Sequence, residues 1–261
     1  MKLRRQGIQI LELVVLVLGI MFGVALVSRS LGGGPIGRLL TQDGVLLVVL
    51  VAFNRWWLHV PIYFRPTPTF GEQLRINTLP IIWMALLAVA LVGSLTVGQP
   101  ALGVGLTLII ALLVGSCEEY LFRGLILGLC LRLFHLTTLR RVWAAVALSS
   151  LLFGATHLVN LTHQGLEPTL VQMLNAFALG VLFAASYLRT RSLVWPILLH
   201  FFNDFVAILI GGLSEEARPV GSVLAVGVMV ILYCGVAGYL LRRQQLPKVQ
   251  ANFAALAPLE R

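Results

Sequence analysis

Eight long apolar runs constrain this chain of 261 residues more than any other feature of its sequence. A helix needs about 20 apolar residues to cross a hydrocarbon core of ~30 Å, and each run approaches or exceeds that length. The runs lie at residues 8–28, 39–58, 79–98, 103–127, 142–159, 170–188, 192–212 and 219–241. Only 11% of the residues are charged, against about 25% in a soluble domain. The sequence therefore predicts an all-α, polytopic transmembrane helical bundle of about eight spans.

The basic residues are distributed unevenly between the two sides that eight spans define. Three of them, Arg29, Arg38 and Arg218, fall on one side, and fifteen fall on the other. The fifteen are Lys2, Arg4, Arg5, Arg55, Arg65, Arg75, Arg132, Arg140, Arg141, Arg189, Arg191, Arg242, Arg243, Lys248 and Arg261. Because cytoplasmic loops are enriched in Lys and Arg, both termini are predicted to be cytoplasmic. The same clustering explains the net charge of +9 without a nucleic-acid partner.

The runs also suggest how the chain is organised. Residues 1–102 hold the first three spans and a cytoplasmic loop at 59–78, and residues 103–212 hold the core that carries the polar residues. Residues 213–243 form the final span, and residues 244–261 form a cytoplasmic tail. We expect the loop to lie along the membrane surface and the tail to be a solvated extension. The lipid bilayer is the expected partner, and a prokaryotic plasma membrane is the expected location.

The fourth run contains three charged residues, Glu118, Glu119 and Arg123. Each costs about 2.5–3.5 kcal/mol at the centre of a membrane helix. Glu119 and Arg123 are four residues apart, so their side chains can pair on one face. Glu118 points about 100° away and is expected to face the bundle interior, where it is available as a general base. The alternative is a purely structural salt bridge beside an idle Glu118.

Two further polar groups lie in later runs. His157 is near the end of the fifth run, with Phe153 one turn before it. His200 and Asp204 are four residues apart in the seventh run, with Asn203 between them. Asp204 can therefore orient the His200 imidazole. Counted from the predicted cytoplasmic boundaries, His157 is about 22 Å deep and His200 about 14 Å, so a shared site requires tilted helices or shifted boundaries.

In this order, Glu118-Glu119-x-x-x-Arg123, Phe153-x-x-x-His157 and His200-x-x-x-Asp204 resemble the motifs of the CAAX protease and bacteriocin-processing family. The resemblance covers roughly residues 103–210. It implies a helical intramembrane endopeptidase whose cavity opens toward the cytoplasm. Its substrate would be a membrane-associated peptide or protein of prenyl or leader type.

The resemblance also implies roles for single residues. Glu118 with His157 would activate the attacking water, and His200 with Asp204 would stabilise the oxyanion. Many family members carry Asn at the last position, so Asp204 either is protonated or holds His200 in its orientation. The supporting residues would be Glu119, Arg123, Phe153 and Asn203.

The resemblance favours a glutamate-type mechanism without a cofactor. The alternative is a zinc site with Glu118, His157 and His200 as its three ligands and water as the fourth. Against zinc, the sequence lacks the His-Glu-x-x-His helix in which ligands and base share one face.

Two other functions stay open. A non-catalytic membrane adaptor or bacteriocin-immunity protein would keep this fold and cleave nothing. A proton-coupled transporter would also use intramembrane Glu, Arg and His, but it predicts paired broken spans, which the sequence does not show.

Overall fold

The computed structural model describes residues 2–30, 34–98, 100–162, 164–213 and 223–256, and these residues form helices and no strand. The helices are α1 (Lys2–Ser30), α2 (Pro35–Phe53), α3 (Phe70–Ile76), α4 (Thr78–Val97), α5 (Val104–Glu119), α6 (Leu127–Phe134), α7 (Leu139–Thr156), α8 (Leu166–Thr190), α9 (Val194–Gly211), α10 (Val223–Leu240) and α11 (Leu246–Asn252). The predicted start of the last span at residue 219, Arg218, Arg261 and the side chains of Lys2, Arg4 and Arg29 lie outside the described part.

The predicted number of spans agrees with these helices. In the described part of the chain, seven segments are long and apolar enough to cross a membrane: Arg5–Val27, Pro35–Leu58, Thr78–Val97, Val104–Phe134, Leu139–Thr162, Leu166–Thr190 and Val194–Gly211. An eighth candidate is Val226–Leu240 together with Arg243–Asn252, which meet at an angle of 49°. The chain is thus an all-α, multi-pass integral membrane protein, as the apolar runs predict.

Small residues bring the central helices close together. α8 packs against α7, α9 and α10, and α5 packs against α9 and α2. A Cβ atom added to Gly154 of α7 would lie 2.8 Å from the Met173 carbonyl oxygen of α8. One added to Gly115 of α5 would lie 3.1 Å from the Phe201 backbone nitrogen of α9. Small residues at these crossings let the helix backbones approach closely, as is common in membrane bundles.

The first residues of the loop after the second span are held against the bundle, whereas residues 64–67 are exposed. Residues 59–69, which we call the strap, cross the ends of several helices before α3 begins. The Tyr63 carbonyl accepts a hydrogen bond from the Leu193 amide at 2.8 Å, and the Phe64 carbonyl accepts one from the Ser192 hydroxyl at 2.7 Å. Val60 is buried and exchanges two hydrogen bonds with the Asn54 side chain.

The end of the described chain is also packed, so the prediction of a solvated tail is wrong. Residues 243–256, which we call the C-terminal segment, bury Val249, Phe253 and Leu256, and Phe253 is 1% exposed. The Phe253 ring lies edge-on to Tyr63 at 5.4 Å and to Tyr187 at 5.1 Å between centroids. The Gln250 amide donates to the Leu136 carbonyl at 2.6 Å. The polar residues suggested a solvated tail, but every third or fourth side chain is apolar and faces the bundle.

Candidate active site

The two adjacent glutamates lie where the fourth span changes its helical geometry. α5 ends at Glu119, and Tyr120–Ile126 form a π-helical segment before α6. Single π-helical turns inside membrane and soluble helices are rare and occur frequently at functional sites. The Phe122 carbonyl within this segment accepts a hydrogen bond from the Ser149 hydroxyl of α7 at 2.8 Å. The segment is therefore fixed against the helix that leads to His157.

Glu119 and Arg123 form the predicted ion pair. Arg123 Nη1 lies 2.8 Å from Glu119 Oε1, and the two side chains are 1% and 0% exposed. Removing charges from water is costly, so such a pair is tolerated only with close geometry and further hydrogen bonds. The same Glu119 oxygen supplies one of these, since it also lies 2.7 Å from His200 Nδ1. Glu119 thus joins the arginine to a histidine of another helix, which the spacing alone did not predict.

Aromatic rings surround the Arg123 guanidinium. Its central carbon lies 4.3 Å from the centroid of Phe153 and 5.3 Å from that of Phe183, within the range of cation–π attraction. Gly180 makes room on the remaining side, because a Cβ atom there would lie 3.0 Å from Arg123 Nη2. Phe153 was predicted as a supporting residue on resemblance, and the structure places its ring on the guanidinium. Phe183 was not predicted.

His200 is the point at which the polar residues converge. Its Nδ1 faces Glu119, and its Nε2 lies 3.3 Å from Asp204 Oδ2 and 3.6 Å from Glu118 Oε2. Both ring nitrogens therefore face carboxylate oxygens, an arrangement that suits a ring donating from both nitrogens. His200 is only the seventh residue of α9, yet α9 starts from the buried Ser192 and Leu193 beneath the strap.

The side chains on the Nε2 side of His200 are less buried than those on the Nδ1 side. Glu118 retains 35% of its side-chain exposure and Asp204 retains 23%, whereas Glu119 retains none. Asn203 Nδ2 lies 3.4 Å from Asp204 Oδ1. The Glu118 side chain is therefore partly accessible, while that of Glu119 is enclosed.

His157 lies at the edge of this cluster and does not contact Glu118. It follows the last residue of α7, and its Nδ1 lies 3.2 Å from the Phe153 carbonyl oxygen. Within the described residues, no carboxylate oxygen lies within 4.0 Å of its ring nitrogens. The Phe153 ring contacts both imidazoles, with centroids 5.5 Å from His157 and 5.9 Å from His200. The structure thus brings the two histidines to one aromatic ring.

One carboxylate of the cluster comes from the N-terminal spans and was missed in the sequence. Asp43 of α2 is 9% exposed and lies within electrostatic range of Glu118 and Asp204. It is the one acidic residue of the second apolar run. The rule that an ionisable residue inside a span is a functional candidate would have identified it.

The residues proposed as zinc ligands do not form a three-ligand site in this arrangement. No group of three or more His, Cys, Asp or Glu side chains in the described parts of the chain is placed to hold a metal ion. His157 is separated from Glu118, and both nitrogens of His200 already face carboxylates. We therefore derive no step through a metal ion.

Comparison with known proteins gives one match. Residues 100–206 match the family model described as type II CAAX prenyl endopeptidase Rce1-like. No curated protein and no solved structure matches the chain. The matched segment contains all three polar motifs, from Glu118 to Asp204, and it supports an intramembrane CAAX protease-type function. Residues 100–206 are thus similar to the Rce1-like family, which supports the resemblance to the CAAX protease and bacteriocin-processing family over this part of the chain.

Proposed function

We propose that this protein is an intramembrane endopeptidase that uses Glu118 and His200 to hydrolyse a peptide bond of a membrane-associated peptide. The observation that carries the proposal is the position of His200 between Glu119 on one side and Glu118 and Asp204 on the other. The partly exposed Glu118 carboxylate can act as a general base, and the His200 imidazole beside it, held by the buried ion pair, can act as a hydrogen-bond donor.

In the proposed reaction Glu118 takes a proton from a water molecule. The water oxygen then forms a bond to the carbonyl carbon of the peptide, and the carbonyl oxygen becomes an oxyanion. The Nε2–H group of His200 donates to that oxyanion, since Nε2 points toward the same space as the Glu118 carboxylate. When the C–N bond breaks, the leaving nitrogen takes the proton that Glu118 holds. No metal ion or cofactor is required.

Glu119, Arg123 and Asp204 act on His200 rather than on the substrate. Glu119 accepts from His200 Nδ1 at 2.7 Å and so fixes which nitrogen faces Glu118. Arg123 holds the Glu119 carboxylate in place and balances its charge. Asp204 Oδ2 lies 3.3 Å from Nε2, so in the free enzyme it would accept from the one Nε2–H and orient the ring, until the oxyanion replaces it as the acceptor. His157 completes the site at its edge, as the second histidine that the family resemblance implies.

The test compares purified protein in lipid vesicles with single variants of the proposed machinery. The variants are Glu118→Gln, His200→Asn and His157→Ala, and the matched control is Glu72→Gln, an exposed glutamate of α3. The probes are a farnesylated CAAX-type peptide and a leader-type peptide, the latter being the class expected in a prokaryotic plasma membrane. We expect cleavage by the wild type and the control, and a loss of about 10²–10⁴-fold for Glu118→Gln, typical of a lost general base.

Three outcomes would contradict the proposal. Equal cleavage by wild type and Glu118→Gln would show that Glu118 is not the general base. Loss of cleavage with a chelator, restored by zinc, would show that a metal ion supplies the water. Cleavage of neither peptide by any form would support the non-catalytic adaptor or immunity protein.

A further inference from the structure

The basic helix ends of the chain are gathered at one end of the bundle. We call this region the basic end. Its described basic side chains are those of Arg5, Arg55, Arg65, Arg75, Arg132, Arg140, Arg141, Arg189, Arg191, Arg242, Arg243 and Lys248. Several of these side chains join different elements there. Arg132 donates to the carbonyls of Leu58 and His59, and Arg189 donates to the Leu240 carbonyl. The positive-inside rule assigns this end to the cytoplasm.

The basic end is covered by two layers of chain. The strap forms the first layer, and a Cβ atom added to Gly124 or Gly128 would contact Ile62 or Val60 of the strap directly. Residues 121–131, which include both glycines, are all buried. The C-terminal segment forms the second layer through the edge-on contact of Phe253 with Tyr63. A peptide would have to displace both layers to reach Glu119 and Arg123 from this end.

The exposure of the site increases away from the basic end. Arg123 and Glu119 are fully enclosed, whereas the side chains of Glu118 and Asp204 are 35% and 23% exposed. His157 lies after the 18 residues of α7, about 27 Å from the basic end of that helix at 1.5 Å per residue. Asp204 is about 10 Å along α9 from its other terminus at Gly211, and Asp43 is about 12 Å along α2 from Pro35.

We propose that the site receives its peptide from the non-cytoplasmic face of the membrane. The substrate class is then a membrane-anchored or exported protein whose cleaved segment lies at that face. The substrate class rests on the proposed protease function, whereas the side from which the site is reached can be measured without any cleavage. It is the opposite of the cytoplasmic opening that the family resemblance implies.

The test measures access with a membrane-impermeant maleimide on sealed vesicles of known orientation. Two exposed positions report the two ends: Arg140→Cys at the basic end and Val159→Cys beyond His157. Two variants, Glu118→Cys and Asn203→Cys, report from which side the maleimide reaches the site. Asn203→Cys gives this result if Glu118→Cys does not fold. The wild type, with its own three cysteines, gives the background.

We expect Val159→Cys and both site variants to react in right-side-out vesicles and to lose the reaction in sealed inside-out vesicles, where Arg140→Cys reacts instead. Reaction of the site cysteines from the same side as Arg140→Cys would overturn the proposed access. So would reaction of Arg140→Cys from outside right-side-out vesicles, since the basic end would then not be cytoplasmic.

A cleavage assay separates this inference from the proposed function. Vesicles with the basic end inside should cleave an externally added farnesylated CAAX-type peptide without permeabilisation, and vesicles of the opposite orientation should cleave it only after detergent is added. Cleavage before permeabilisation in the opposite orientation would refute the access route. Absence of cleavage in both, even with detergent, would count against the protease function, while the labelling result would still decide the route.

Discussion

Replacing Arg123 with alanine tests whether the buried ion pair stabilises the fold. The change removes the 2.8 Å contact with Glu119 and the contacts of the guanidinium with Phe153 and Phe183. It leaves the Glu119 carboxylate, which is 0% exposed, with His200 as its remaining side-chain partner. Breaking one side of a buried pair typically costs about 3–5 kcal/mol, since the other charge stays buried.

This cost predicts a large change in thermal stability. For a chain of this size, 1 kcal/mol corresponds to about 2–4 °C, so Arg123→Ala should lower the unfolding temperature by roughly 10 °C. The assay is thermal unfolding of the purified protein in a mild detergent. The matched control is Arg140→Ala, an exposed arginine of α7, which should change stability by no more than about 0.5 kcal/mol.

A double variant separates stability from activity. Glu119→Gln combined with Arg123→Met removes both charges, so it should recover much of the stability that Arg123→Ala loses. It should still cleave poorly, because His200 no longer faces a carboxylate at Nδ1. If Arg123→Ala unfolds at the same temperature as Arg140→Ala, the pair does not stabilise the fold and the argument fails.

Three further variants test the packing of α7 on α8, the packing of the C-terminal segment and the pH dependence of stability. Gly154→Ala places a Cβ atom 2.8 Å from a backbone oxygen of α8, so it should cost about 1–3 kcal/mol in unfolding free energy, whereas Gly19→Ala, with open space around it, should cost almost nothing. Phe253→Ala should cost about 3–5 kcal/mol, and Phe64→Ala, at a ring 48% exposed, much less; equal losses would mean that the C-terminal segment does not hold the basic end. Hydrogen bonds from the N-cap residue lower the pKa of Glu72 below its usual 4.5, so its contribution is present at neutral pH and lost as the pH falls through that lowered value. Glu72→Gln should therefore flatten the acid limb of the stability curve, measured by the unfolding temperature across that range.

The spans and the Glu119–Arg123 pair were predictable because each depends on local rules. Twenty apolar residues in a row and a four-residue spacing on a helix require no knowledge of the partner helices. The contact of Glu119 with His200 was not predictable, since it depends on how α5 and α9 approach each other. Residues 81 positions apart carry no pairing signal in a single sequence.

Two misses have different causes. Asp43 lies in the first part of the chain, where no known motif drew attention, although its position within an apolar run was visible. The C-terminal segment was interpreted as a solvated tail because it follows the last apolar run and six of its fourteen residues are polar or charged. What decides its packing is that Val249, Phe253 and Leu256 recur on one face.

The contact between the strap and the C-terminal segment determines when folding can be completed. Thr67 and Asn252, which share a hydrogen bond at 2.8 Å, are separated by 185 residues. At a synthesis rate of ~5–20 residues per second, the strap therefore waits roughly 10–40 s for its partner. During that interval the spans enter the membrane without their second cover, so the nascent chain has to keep Glu119 and Arg123 paired through the helices alone.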